Sequence, residues 1–356
     1  MSRIDQQFGF LVAADRLKTV NRATALMDGS RRENAAECHW HIALWLLTFA
    51  DPAHPGAIRM ALLQGLHDDD ADATADPFAL LPSPDQAALR ALARGAQGDS
   101  PAAAALRRHS LAQPVFQDLG HVAQTRTDHD VLISQLSTGQ PATLADDWPA
   151  IHARASALLS RTSPPHDPDL DARLRFLAEA DRLKTVLRAT SIFDGSRREN
   201  SAEHSWHLAL FALVLSEYAI RPVDTDRVIA MLILHDLVEI DAGDAPIHGA
   251  SDKALQAAEE RRAADRLFGL LPAPQAVQFR TLWDEFESAQ SDDAVFAKAL
   301  DRVQPVLANL ATNGGTWPEY NVTRDQLQSR VGDKVRRGAP ALWDALSDRI
   351  DGWFAV

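Results

Sequence analysis

Residues 11–44 read LVAADRLKTVNRATALMDGSRRENAAECHWHIAL, and residues 177–210 read LAEADRLKTVLRATSIFDGSRRENSAEHSWHLAL. At an offset of 166, 24 of the 34 positions are identical. Chance does not produce agreement of that length, and an internal repeat constrains architecture more than any local pattern. Two long copies are too few for a solenoid, so the chain reads as a tandem duplication of one domain. Its 356 residues suit two domains of roughly 150–200 residues each. The run Ser160-Arg161-Thr162-Ser163-Pro164-Pro165-His166-Asp167-Pro168 collects breaker residues between the copies. The expected division is therefore 1–165 and 166–356.

Working outward from the repeat, the periodicity is helical. Trp206, Leu210, Leu213 and Val214 recur at three- and four-residue spacing. The runs 227–237, 252–267 and 294–310 carry the same signal. Asn200-Ser201-Ala202-Glu203 predicts a capping box, with Asn200 as cap and Glu203 reaching back. No alternating β pattern bounded by hairpin turns stands out. Each half is expected to be an all-α bundle.

Composition narrows the function. Apolar residues make up 46% and charged residues 24%, an ordinary globular balance. A net charge of −13, from 36 basic and 49 acidic residues, leaves no electrostatic footprint for duplex nucleic acid. A small phosphorylated substrate stays open, since it needs only a few local cations. Cys38 is the single cysteine among thirteen histidines, so a bound metal would be held by His and carboxylates. No run approaches the ~18 consecutive apolar residues of a membrane span, and the start lacks a signal-type stretch. A cytoplasmic protein with no membrane partner is expected.

Three pieces of the second copy carry chemistry. They are Glu203-His204-Ser205-Trp206-His207, the pair His235-Asp236 with the following Glu239 and Asp244, and Asp301 within a helical run. A lone His-Asp pair at the end of an apolar helix reads structurally, with the imidazole on a carbonyl and the carboxylate in an ion pair. Two imidazoles and two carboxylates together can instead hold Mn²⁺, Co²⁺, Fe²⁺ or Zn²⁺ and leave positions open to water.

The order His…His-Asp…Asp resembles the HD-domain metal-dependent phosphohydrolases. The wording is closer to their 5′-deoxynucleotidase-like branch, through Arg188, Glu199-Asn200-Ser201-Ala202-Glu203-His204-Ser205, His235-Asp236, Glu239, Asp244 and Asp301. The match covers about 175–330. It implies a compact helical bundle and hydrolysis of a phosphomonoester, in particular a nucleoside 5′-monophosphate. By the resemblance, His204, His235, Asp236 and Asp301 are ligands of one divalent ion, Mn²⁺, Co²⁺, Fe²⁺, Zn²⁺ or Mg²⁺. Glu239 would orient or deprotonate the attacking water, Asp244 would meet the leaving sugar oxygen, and Arg188 would grip the phosphate. Ala189 stands where that branch has a bulky aromatic that selects the sugar, so 2′-deoxy selectivity does not carry over. Of the remaining polar residues, His207 is expected to pack behind the site and Trp206 to lie in the core. His248 is expected at the surface, and Asp241 solvated or capping. Arg197 and Arg198 would either help bind phosphate or stand solvated.

The first copy departs from this pattern. Cys38 replaces His204, while His41 and Arg22 match His207 and Arg188. His67-Asp68 matches the His-Asp pair, Ala71 replaces Glu239, and Asp76 matches Asp244. Aligning Trp148-Pro149 with Trp317-Pro318 pairs Gln135 with Gln304 and puts Leu132 where Asp301 stands. A variant site of Cys38, His67 and Asp68 stays open, but the expectation is a degenerate, non-catalytic domain. It would pack against the active copy as one subunit of an internal pseudo-dimer, in a monomer or a homodimer.

Two other functions compete. An HD-fold di-iron oxygenase needs extra histidines before the last Asp, and residues 249–300 contain none. A non-catalytic nucleotide-binding regulator would not need the intact residue set of the second copy.

Overall fold

The structure, a computed structural model, describes residues 1–49, 55–66, 76–121, 126–249 and 252–355. The first half is built from α1 (Arg3–Ala14), the hairpin β1 (Asn21–Ala25) and β2 (Arg32–Asn34), α2 (Ala35–Thr48), α3 (Pro55–Leu63), α4 (Ser83–Gly95), α5 (Pro101–His121), α6 (Arg126–Thr138) and α7 (Pro149–Ser160). The second half repeats the opening order with α8 (Pro168–Ala180), β3 (Leu187–Ser191), β4 (Arg198–Asn200), α9 (Ser201–Leu215) and α10 (Thr225–Leu234). It continues with α11 (Lys253–Phe268), α12 (Ala273–Ser288), α13 (Asp292–Ala311) and α14 (Pro340–Phe354). Short helical turns fill several connections. The all-α expectation holds apart from the two antiparallel hairpins, each a two-stranded sheet. Their signal was Asp28-Gly29 and Asp194-Gly195, where the glycines take φ of 70° and 73° to close the turn.

Helices α2 and α9 lie at the centre. Nearly every residue of each is buried. Helices buried on every side, like these, run through a core rather than along its surface, and their few polar residues need partners there. Both begin with a capping box, Asn34 with Glu37 and Asn200 with Glu203. The buried apolar residues of the two halves form one contiguous cluster. No helix of the described residues is long and apolar enough to cross a membrane.

The halves meet through paired contacts, each made twice with the roles exchanged. The Trp40 indole donates to the Ile233 carbonyl at 3.1 Å, and the Trp206 indole donates to the Leu62 carbonyl at 3.2 Å. The Asn34 amide donates to Glu203 at 2.5 Å, and the Asn200 amide donates to Glu37 at 2.6 Å. The Met27 N–H donates to Asp181 at 2.9 Å, and the Phe193 N–H donates to Asp15 at 2.8 Å. His41 and His207 meet the Leu177 and Leu11 carbonyls, at 3.2 and 2.9 Å. Reciprocal pairing of this kind is what two-fold self-association produces. Between α7 and α8, residues 161–167 form the connector, opened by Arg161 in the left-handed region at φ 52°. Arg154 pins it by donating to the Pro165 carbonyl at 2.9 Å.

Candidate metal centre

Six elements of the second half bring the expected residues together. Arg188 lies on β3 and Glu199 on β4. His204 sits just beyond the first turn of α9, behind its capping box. The apolar run of α10 carries the chain into the core and ends in a tight 3-10 turn, His235–Val238, which holds His235 and Asp236. Glu239 opens the next turn, Glu239–Ala242, and Gly243 ends it with φ 73°, which releases Asp244. Asp301 projects from α13 four residues before Pro305. Proline has no N–H to return to the Asp301 carbonyl, so the helix ladder is broken at the carboxylate.

One ligand atom each from His204, His235 and Asp301 lie within 4.8 Å of one another, all on buried residues. Asp236 stands beside that group without being part of it, its Oδ1 2.9 Å from His235 Nε2 and its Oδ2 on Arg188. The ring nitrogens fit a cation. His235 Nδ1 faces the Leu232 carbonyl at 2.9 Å, which accepts only, so Nδ1 donates there and Nε2 is the atom turned toward the cluster. That Nε2 is buried and faces the Asp236 carboxylate and no hydrogen-bond donor. His204 Nδ1 faces the Glu199 carboxylate at 3.2 Å, and its Nε2 faces Asp301 Oδ1 at 3.2 Å. An imidazole between two carboxylates needs positive charge on it or beside it. Burial and Arg188 oppose protonation of His204, but Glu199 and Asp301 outweigh them and raise its pKa.

Charge is concentrated around this point. Arg188 Nη1 lies 3.0 Å from Asp236, 3.5 Å from Asp244 and 3.7 Å from Glu239. Burial works against its charge, but Asp244 and Asp236 hold the guanidinium protonated. Burial would neutralise Asp301, yet Arg302 at 2.9 Å and His204 keep it well below the usual carboxylate range. At Asp236 burial is likewise outweighed, by His235 and Arg188. Glu239 goes the other way: burial, then the Asp236 charge, push it well above the ordinary value. Its Oε2 accepts from the Ser201 hydroxyl at 2.5 Å.

The cluster opens into a cavity of about 270 Å³. Arg188, Asp236, Glu239 and Asp244 line it together with Ala189, Trp317 and Tyr320. His248 also lines it, which corrects the surface expectation. It is half-buried, its Nδ1 has no hydrogen-bond partner, and burial and then Arg330 and Arg302 lower its pKa.

A family model described as HD domain matches residues 14–68 and 180–343. The chain belongs to the HD-domain family. Among curated relatives, it is 28% identical over 135 residues to the 5′-deoxynucleotidase HDDC2 of Mus musculus, covering 38% of this chain and 66% of that protein. The 5′-deoxynucleotidase hdd1 of Schizosaccharomyces pombe is 26% identical over 189 residues, covering 51% of this chain and 92% of that one. This chain spans just under two thirds of the length of the mouse relative. A crystal structure described as a predicted metal-dependent phosphohydrolase from Magnetospirillum magnetotacticum MS-1 is 45% identical, with a TM-score of 0.51. That similarity covers 54% of this chain and 96% of the solved one.

Within this HD-domain chain, the first half holds a different residue set at the equivalent place. The Cys38 thiol is buried and lies 3.6 Å from Gln113 Oε1. Burial, then Glu33, push its pKa up, so it stays a neutral thiol, whereas metals bind the thiolate. The alignment that paired Leu132 with Asp301 and Gln135 with Gln304 is corrected. The Gln113 amide reaches Glu33 at 3.5 Å as the Gln304 amide reaches Glu199 at 2.9 Å. Gln113-Pro114 in α5 therefore corresponds to Gln304-Pro305 in α13, and Ser110 stands in the place of Asp301. Leu132 and Gln135 lie on α6 instead. The Trp-Pro anchor misled because the counterpart of Trp148-Pro149 is Ala339-Pro340: both open a helix, α7 and α14, after a cap residue of the same conformation (φ −153° and −150°, ψ 67°). His67, Asp68 and Ala71 lie outside the described residues.

Of the other candidates, Trp206 is fully buried as expected. His207 faces Lys18 and the Leu11 carbonyl, away from the cavity. Arg197 donates to Glu203 and the Lys18 carbonyl, and Arg198 pairs with Glu319 at 2.7 Å. Neither lines the cavity. Asp241 pairs with Arg266 at the surface. Sequence reading assigned no role to Glu199, Ser201, Gln304 or Lys18. A signal existed for two of them: Lys18/Lys184 and Glu33/Glu199 are charged residues kept in both copies of the repeat.

Proposed function

We propose that the chain is a metal-dependent phosphomonoester hydrolase acting on nucleoside 5′-monophosphates, with one divalent ion held by His204, His235, Asp236 and Asp301. The observation that carries this is the convergence of His204, His235 and Asp301 within 4.8 Å beside the Arg188 guanidinium in one cavity. Curated relatives named 5′-deoxynucleotidases support the substrate class. A bound divalent ion supplies a Lewis acid for a phosphoryl oxygen and a water of lowered pKa. Arg188 binds the phosphate, since guanidinium donors match its oxygens bidentately. Glu239, with a raised pKa and an anchoring bond from Ser201, takes the proton of the attacking water. Asp244, 3.5 Å from Arg188, stands beside the same phosphate site to meet the leaving oxygen. With Ala189 on the cavity wall, nothing at that position discriminates the sugar 2′ position.

We further propose that 1–165 and 166–356 are two copies of one domain, the first without a complete site. The reciprocal contacts between the halves support a pseudo-dimer, and a cytoplasmic setting suits the cysteine usage. The oxygenase alternative has less support. The other His-carboxylate group among the described residues, Asp15 with Glu199 and His207, is closed around the Lys18 ammonium.

The test is a panel of nucleoside monophosphates and simple phosphomonoesters with Mn²⁺, Co²⁺ and Mg²⁺. Metal-dependent release of phosphate is expected, abolished in Asp236→Ala. Full activity of metal-free Asp236→Ala protein would end the proposal.

A further inference from the structure

We propose that Lys18, supplied by the first half, is a positioning residue for the metal ligand His204 of the second half and acts through Glu199. The inference rests on the metal reading above. Lys18 Nζ is fully buried and lies 2.6 Å from Glu199 Oε1, with Asp15 and His207 Nδ1 as its other neighbours. The Gln304 amide takes the same Glu199 oxygen at 2.9 Å. These two donors fix the carboxylate plane and leave Oε2 facing His204 Nδ1 at 3.2 Å. A carboxylate at ion-pair distance favours the ring proton on Nδ1 and leaves Nε2 for the metal, which bears on ring orientation and ligand basicity. The active copy does not make this arrangement alone: its own Arg188 Nε stands 3.8 Å from Glu199 Oε2, while the nearest cation, Lys18 at 2.6 Å, comes from the other copy.

The mirror contact supplies an internal control. Lys184 Nζ, from the second half, lies 3.0 Å from Glu33 Oε2 and pairs with Asp181 at 2.5 Å, next to His41. The other Glu33 oxygen accepts from the Thr24 hydroxyl at 2.6 Å, and Cys38 replaces the histidine beyond it. The same buried ammonium therefore ends on a ligand in one copy and on a hydroxyl in the other. A purely structural role predicts equal consequences for the two lysines; a positioning role does not.

The experiment uses the full chain and measures Mn²⁺ affinity by competition with a chelating dye, together with the melting temperature of the metal-free protein. Lys18→Met is expected to weaken Mn²⁺ binding about 10- to 100-fold, the range seen when the outer partner of a ligating histidine is lost. Lys184→Met should lower the melting temperature comparably and leave Mn²⁺ affinity at the wild-type value. Glu199→Gln should match the Lys18→Met loss, and adding Lys18→Met to it should change affinity no further. Wild-type affinity in Lys18→Met, or an equal loss in Lys184→Met, overturns the inference while leaving the metal reading intact. If Lys18→Met does not fold, wild-type affinity in Glu199→Gln overturns it in the same way. A wild-type protein that binds no Mn²⁺ removes the metal reading and the inference together.

Discussion

The Ser201 hydroxyl donates to Glu239 at 2.5 Å, tying the proposed general base to the first turn of the helix that carries His204. Two elements remote in sequence are thereby locked in register at the point where a proton must move. Glu239→Gln should lower kcat by about 10²–10⁴-fold, the usual worth of a general base, while Mn²⁺ affinity stays near wild type. Ser201→Ala should cost about tenfold, a smaller effect because the base remains but is less firmly held. Steady-state kinetics on both variants check this, and a Glu239→Gln protein with unchanged kcat would remove Glu239 from the reaction.

Metal binding should register as stability. His204, His235 and Asp301 belong to separate elements, so a cation bound between them clamps α9, the turn after α10, and α13. At a free Mn²⁺ concentration 100-fold above its Kd, the folded state gains about 2.7 kcal/mol. Denaturant titrations with Mn²⁺ and with a chelator measure the difference. Identical midpoints would mean that no such clamp forms.

Ala189 predicts the sugar preference. The cavity wall after Arg188 carries a methyl group rather than a ring, so ribo- and deoxyribonucleoside monophosphates should be hydrolysed with kcat/KM within about tenfold of each other. Ala189→Trp should lower kcat/KM for the ribonucleotide more than for its deoxy partner, because added bulk discriminates by exclusion. An unaltered ratio would place sugar recognition elsewhere in the cavity.

Acid sensitivity follows from the buried imidazoles of the first half. Burial, then Arg22, lower the His39 pKa to about 3, and burial, then Lys184, lower that of His41 to about 3. The unfolded chain binds these protons below about 6.5, whereas the folded chain refuses them until about 3. Stability is therefore full above pH 6.5 and falls as the pH drops toward 3, by about 1.4 kcal/mol per pH unit for each histidine. Urea midpoints of the metal-free protein at pH 7 and pH 5 test the slope. His41→Gln, which keeps a donor for the Leu177 carbonyl, should make it shallower.

Much of this was legible before any coordinates. The capping box at Asn200 and Glu203 could be read because it is local, spanning three residues. The helical runs could be read because burial on one face imposes a period. The His-Asp pair, the upstream His204 and the later Asp301 could be named because chemistry restricts ligands to few residue types. What could not be read was pairing across distance. Nothing near Glu199 in sequence says that Lys18, 181 positions earlier, supplies its cation. His248 looked superficial because it follows the acidic run of Glu239, Asp241 and Asp244, yet the chain turns it into the cavity. The register was lost because the second half places more chain, including α11, between α10 and α13 than the first half places between α3 and α5. The two hairpins escaped because three-residue strands show no alternation; only their Asp-Gly turns gave them away.

The connector of residues 161–167 changes how the seam behaves on dilution. Two separate chains joined by the same contacts would part as their concentration fell below the dissociation constant. Here the second partner is always present, at an effective concentration set by the short tether rather than by expression level. A centre that draws one of its cations from across the seam thus stays assembled in a single molecule, however scarce the protein is.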